Sequence, residues 1–148
     1  MEMDKKNQVD KTITTGWLWL FAAWLVATLA MMGSLFFSEI LDVPVCELCW
    51  YQRILLYPLV PILALGLFPH DRGVVRYASP LVFIGWGIAF YQFLLVMGGI
   101  PESIQPCKAG IPCSETHMKI LGFINIPMLS LFTFTVLLVL LGMAHGKK

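Results

Sequence analysis

The chain has 148 residues, of which 58% are hydrophobic and only 13% charged, with a formal net charge of +1. Water-soluble domains carry roughly 25% charged residues, and a chain this short cannot hide so much apolar surface from water. The composition therefore excludes an ordinary soluble domain and makes lipid the expected solvent. Near-neutrality, without a basic stripe interleaved with aromatics, excludes a nucleic-acid-binding protein.

Four stretches reach the ~20 mostly apolar residues that a membrane helix needs. The first, about 17–37, carries no charge. Lys5, Lys6 and Lys11 precede it, as basic residues precede a signal peptide. It is longer than a signal core, however, and no small-x-small cleavage site follows, so it reads as a retained helix. The second, about 48–68, contains one charge, Arg53. The third, about 74–97, has Arg76 at its start, and the fourth runs over about 120–142. Outer loops are expected at about 38–47 and 98–119, with no internal repeat or low-complexity segment, giving one integral-membrane domain over 1–148.

Lys and Arg in short flanking segments set orientation, the richer side being cytoplasmic. With the N-terminus inside, that side holds Lys5, Lys6, Lys11, Arg72, Arg76, Lys147 and Lys148, against Lys108, Lys119 and the boundary residue Arg53 outside. The expected fold is an all-α membrane protein, a four-transmembrane-helix bundle with both termini cytoplasmic. Trp50 and Tyr51 then suit an outer interfacial belt, and Trp17 and Trp19 an inner one. All four cysteines, Cys46, Cys49, Cys107 and Cys113, fall on the outer side, which in a bacterium is the oxidising side where disulfides persist.

The first cysteine pair opens the second span in the run Cys46-Glu-Leu-Cys49-Trp-Tyr-Gln52-Arg53. Pro44 suits a first helical turn and Asp42 an N-cap. Cys46, Cys49 and Arg53 lie at i, i+3 and i+7, on one helix face. Side chains three apart on a helix have Cβ atoms ~5–6 Å apart, whereas a disulfide wants ~3.5–4.5 Å. The pair closes only if the first turn loosens, which favours an easily reduced bond. The helix N-terminus and the Arg53 cation both favour thiolate, the form that attacks disulfides. Arg53, roughly 6 Å further along the axis from Cys49, is either an arginine snorkelling to headgroups or a functional cation. Sharing a face with the cysteines favours the second, as a donor to a bound quinone oxygen and a stabiliser of the Cys49 thiolate. Gln52 is a second candidate donor to that ligand, or makes a plain interhelical hydrogen bond.

Cys107 and Cys113 each follow a proline in a loop that also contains Pro101 and glycines, so an exposed, turn-rich segment is expected. As a staple, so small a ring contributes only roughly 2 kcal/mol. A short exposed disulfide near a second pair is better suited to exchange. A zinc site of four cysteines would need them reduced in an oxidising compartment, and no metal is expected. His117 reads as a surface side chain, and His70 lies on the opposite side.

Together, the Cys46–Arg53 core, the four spans and the cysteine pair in the second outer loop resemble the DsbB-type disulfide formation proteins over nearly the whole chain, from Trp17 to Gly142. Only five residues separate the loop cysteines, far fewer than in the Gram-negative members. This spacing looks most like the shorter, BdbC-type branch. The resemblance implies a quinone-dependent thiol–disulfide oxidoreductase in the bacterial inner membrane. A reduced DsbA-like, thioredoxin-fold partner would attack the loop disulfide at Cys107, with Cys113 resolving. Cys46 would exchange with the loop, and Cys49 would pass electrons to ubiquinone or menaquinone, contacted by Arg53. Two other readings compete: a protein resembling vitamin K epoxide reductases, whose CxxC opens a later helix than the second span used here, and a four-helix scaffold with structural disulfides.

Overall fold

The computed structural model describes residues 1–40, 47–68, 71, 73–99, 101 and 126–146. They form four helices: α1 (Glu2–Glu39), α2 (Glu47–Leu67), α3 (Gly73–Val96) and α4 (Ile126–Gly146). All four are long and apolar enough to cross a membrane. Lipid offers the backbone no hydrogen bonds, so each span must satisfy its own N–H and C=O groups, and helices do so. Pro58 and Pro61 inside α2 and Pro80 inside α3 interrupt this pattern without ending either helix.

Each helix packs on its two neighbours in the ring α1–α2–α3–α4. The start of α2 packs on the end of α3 through Leu48 and Leu95, while Gly66 and Val74 meet at the other end. The pair is therefore antiparallel. Arg53, early in α2, reaches Ser34, late in α1, so α1 and α2 are antiparallel too. The ends of α1 and α3 and the starts of α2 and α4 share one end of the bundle. Chain segments carrying Cys46, Cys107 and Cys113 join helices at that end. Those three cysteines, with the expected Asp42 cap and Pro44 turn, lie outside the described residues.

The core is a set of narrow stripes. On α1 the buried positions are Gly16, Leu20, Ala23 and Ala27. On α3 they are Val75, Ala78, Val82, Gly85, Ala89, Gln92 and Leu95, three or four residues apart throughout. This is the seam expected of helices crossing at a shallow angle. Small residues let the backbones approach, since dispersion contacts hold membrane helices together where lipid competes for apolar surface. A Cβ built on Gly85 would overlap the ring of Phe134 on α4, whereas one on Gly87 meets nothing within 4 Å. Gly85→Ala is expected to destabilise the bundle by about 1–3 kcal/mol, as overpacking does, and Gly87→Ala to be neutral. Thermal unfolding in detergent compares the two directly. At the end of α3, Gly98 takes φ 75°, and the Gly98 and Gly99 N–H groups donate to the carbonyls of Leu95 and Leu94. A left-handed residue closing a helix in this way is normally glycine.

Helix bounds for α2 and α3 fall within one residue of those read from the sequence. Two elements differ. α1 begins at Glu2, ahead of the expected span at about 17–37, and its 38 residues extend about 57 Å at 1.5 Å each, nearly twice the ~30 Å hydrocarbon thickness. Its first turns are polar and exposed, and the hydroxyls of Thr12, Thr14 and Thr15 donate to carbonyls one turn back. α4 runs on to Gly146, and positions 120–125 of the expected fourth span lie outside the described residues. Trp50 and Tyr51 are more than half exposed, as an interfacial pair would be. Trp17 is exposed and stacks on Phe21, but Trp19 packs against the core instead.

Candidate functional site

Cys49, Gln52 and Arg53 stand in the first two turns of α2, one turn apart on one face. Leu48 anchors that turn by packing on Leu95 of α3, and Cys49 lies partly buried against the same cluster. Gln52 and Arg53 are buried, and Gln92 of α3 is 1% exposed. Burying an amide is costly unless it is hydrogen-bonded, and here the amides bond in series. Gln52 Nε2 donates to Gln92 Oε1 at 2.7 Å, and Gln92 Nε2 donates to Cys49 Sγ at 3.3 Å. The interhelical bond expected as one reading of Gln52 is thus present.

Arg53 is anchored differently. Its Nη2 donates to the Ser34 carbonyl of α1 at 2.8 Å. Its guanidinium also lies over the Trp50 ring, 5.6 Å from the centroid, a favourable cation–π placement. Neither partner carries a formal charge, so among the described residues the buried cation meets no counter-ion. A guanidinium has five N–H donors, most of which remain for other acceptors.

These groups border a cavity of about 420 Å³, within the ~300–1,000 Å³ range typical of small-molecule sites. Cys49, Gln52, Arg53 and Leu56 form its α2 wall and Gln92 its α3 wall. α1 contributes Gly33, Ser34 and Phe37, and α4 contributes Ser130, Thr133 and Phe134. Leu29 and Phe132 also line it and are two-thirds exposed on the surface of the bundle, so the cavity opens sideways between α1 and α4. Its walls are mostly apolar, with the cysteine sulfur, the cation and two amides gathered along one side. Such a chamber fits a largely apolar molecule carrying a few hydrogen-bond acceptors.

Of the six residues singled out from sequence, the structure brings Cys49, Gln52 and Arg53 to one cavity. The other three, Cys46, Cys107 and Cys113, are outside the described residues. Sequence reasoning missed Gln92, the Ser34 carbonyl and the cavity. The spacing of α3 contained a signal for the first, since Gln92 falls on the stripe of small and apolar residues that faces the core.

Comparison with known proteins places this site in context. Residues 15–144 match the family model "Disulfide bond formation protein DsbB". The chain belongs to the DsbB family. It is 43% identical to "Disulfide bond formation protein C" of Bacillus subtilis over 131 residues, 88% of this chain and 95% of that relative. "Probable disulfide formation protein C 2" of Bacillus cereus is 44% identical over 126 residues, 85% and 90% of the two chains. "Probable disulfide formation protein" of Coxiella burnetii is 43% identical over 128 residues, 84% and 86%. No solved structure gives a significant match. Membership of the DsbB family, with four helices able to span a bilayer, makes this a multi-pass membrane protein and supports a thiol–disulfide oxidoreductase role.

Proposed function

We propose that this DsbB-family chain reoxidises a thioredoxin-fold protein outside the cytoplasmic membrane and delivers the electrons to a membrane quinone. The observation that carries the reading is the meeting of a cysteine sulfur, a buried arginine and an apolar cavity open at the side of the bundle. Both termini lie in the cytoplasm in this reading, which the distribution of Lys and Arg supports. The cysteine-bearing end of the bundle then faces the outer, oxidising compartment.

Thiol–disulfide exchange conserves electrons at each step. A dithiol partner attacks the Cys107–Cys113 disulfide, is bound through a mixed disulfide on Cys107, and leaves oxidised when its second thiolate attacks the bond. The loop pair, now a dithiol, reduces the Cys46–Cys49 disulfide, with Cys46 as the exchanging sulfur. Reoxidising the Cys46–Cys49 dithiol requires an acceptor of two electrons and two protons, which is the capacity that ubiquinone or menaquinone supplies when bound. Arg53, with Gln52 nearby, would hold a quinone oxygen beside Cys49. The phenyl rings of Phe37, Phe132 and Phe134 would hold its apolar parts and exclude water.

The order of the loop cysteines is testable by trapping. In Cys113→Ser protein, Cys107 exchanges into the Cys46–Cys49 disulfide, and a reduced thioredoxin-fold partner keeping only its attacking cysteine is expected to displace Cys46 and accumulate as a mixed disulfide on Cys107, visible by non-reducing electrophoresis and peptide mapping. Efficient trapping on Cys113 in Cys107→Ser protein, and none on Cys107, would reverse the order. A scaffold with structural disulfides would trap nothing in either variant. Identification of the quinone co-purifying with the full chain tests the acceptor.

A further inference from the structure

Gln92 lies on a different helix from every residue of the sequence motif, yet its amide touches the Cys49 sulfur. Two of its hydrogen bonds to the start of α2 are directional. Gln52 Nε2 donates to Gln92 Oε1, which sets the amide with its oxygen toward Gln52 and its NH₂ toward Cys49 Sγ. A primary amide turned the other way would present a carbonyl oxygen to the sulfur. The oxygen would accept from a thiol, but it would repel a thiolate. In the observed orientation the sulfur meets a donor, and a donor favours the negatively charged form.

The setting strengthens this effect. Gln92 is 1% exposed and Gln52 is 7% exposed, so water competes little for either amide, and hydrogen bonds in such surroundings are stronger than at a surface. The buried stripe of α3 that holds Gln92 otherwise consists of Val75, Ala78, Val82, Gly85, Ala89 and Leu95. Packing alone would be met by another apolar side chain at this position.

We infer that Gln92 is a catalytic residue of the thiol oxidase, donating through Nε2 to the Cys49 sulfur as it becomes a thiolate, and that Gln52 is the positioning residue that holds the amide in its donating orientation. The inference rests on the proposal that Cys46 and Cys49 form the redox pair nearest the acceptor. A donor at the sulfur stabilises the reduced pair over the disulfide and so makes the pair a stronger oxidant of the loop dithiol. Its effect belongs to the cysteine pair itself and is present whether or not an acceptor is bound.

The test uses full-length protein carrying Cys107→Ser and Cys113→Ser, so that only Cys46 and Cys49 titrate. The pair is equilibrated with reduced and oxidised dithiothreitol, and the reduced fraction is read by thiol alkylation and mass. Gln92→Met keeps the length of the side chain and removes the donor. It is expected to shift the equilibrium toward the disulfide by about tenfold, the lower end of what a hydrogen bond to a charged group contributes, or about 30 mV for a two-electron couple. Gln52→Met leaves Gln92 in place but removes the bond that Gln52 makes to its amide oxygen, and is expected to shift the equilibrium in the same direction by a smaller factor. Because it alters a different helix, it keeps the test decisive if Gln92→Met does not fold. An unchanged equilibrium in a folded variant of either kind, or a shift toward the dithiol, overturns the inference. The parent chain with all four cysteines is assayed in parallel for quinone-dependent oxidation of a thioredoxin-fold partner. Its failure there would sink the proposed function, whereas an unshifted equilibrium beside an active parent sinks the role of Gln92 alone.

Discussion

Serine in place of any one of Cys46, Cys49, Cys107 or Cys113 is expected to reduce quinone-dependent oxidation of a thioredoxin-fold partner to background. A hydroxyl is close in size to a thiol, so the bundle should fold, but it cannot form or break a disulfide. Each transfer moves two electrons and needs both sulfurs of a pair, so the four losses should be equally complete and not graded. They should differ in where electrons stop. Without Cys107 or Cys113, the partner is not oxidised, but a small dithiol reaching Cys46–Cys49 directly should still reduce quinone. Without Cys46 or Cys49, the partner should exchange once with the loop and then stall, and no thiol should drive quinone reduction. Partner oxidation by free-thiol assay and quinone reduction by its absorbance separate these cases. Normal partner oxidation in the Cys107→Ser, Cys113→Ser double variant would show that the loop pair is not a shuttle.

Arg53→Ala is expected to raise the apparent KM for quinone by about tenfold or more, since hydrogen bonds involving a charged group contribute ~1.5–3 kcal/mol, and each 1.4 kcal/mol is about a factor of ten. Trapping of the partner on the loop should persist, because that chemistry happens elsewhere. One nitrogen of Arg53 is committed to the Ser34 carbonyl, so the quinone would be held by the other arm of the fork. Arg53→Lys should therefore recover only part of the loss: a single ammonium is a point charge without a planar fork that reaches two acceptors at once. Quinone titrations of the wild type and both variants in detergent measure this. An unchanged KM in Arg53→Ala would make the residue a structural tie between α1 and α2 and no part of the acceptor site.

The four apolar helices were legible because hydropathy over twenty residues is a strong signal, and charge or glycine near each end bounds it. Glu47 and Gly73 mark the starts of α2 and α3 to within a residue of the expected positions. The polar first turns of α1 were not legible by that route. A transfer scale registers a span by its cost in water, and Glu2–Thr15 has no such cost, although the segment is helical. The site was half legible. Cys49, Gln52 and Arg53 are one turn apart in sequence, so helical geometry alone puts them together. Gln92 is forty residues from Gln52, and only the packing of α2 on α3 joins them. A count of charges passes over an uncharged amide, even one set among apolar residues. The cavity was not legible at all, because it is the space left where Gly33, Ser34, Phe37 and their counterparts on α4 fail to meet.

Ser34 takes two parts in this arrangement, and they are separable. Its carbonyl receives Arg53, while the residue also borders the cavity. Every amino acid carries the same carbonyl, so an exchange at position 34 alters the cavity wall and leaves the arginine moored. The mooring is inherited with the path of α1, not with any side chain. Lineages can therefore retune which molecule the chamber admits by drift at this position, without first losing the cation proposed to hold the acceptor.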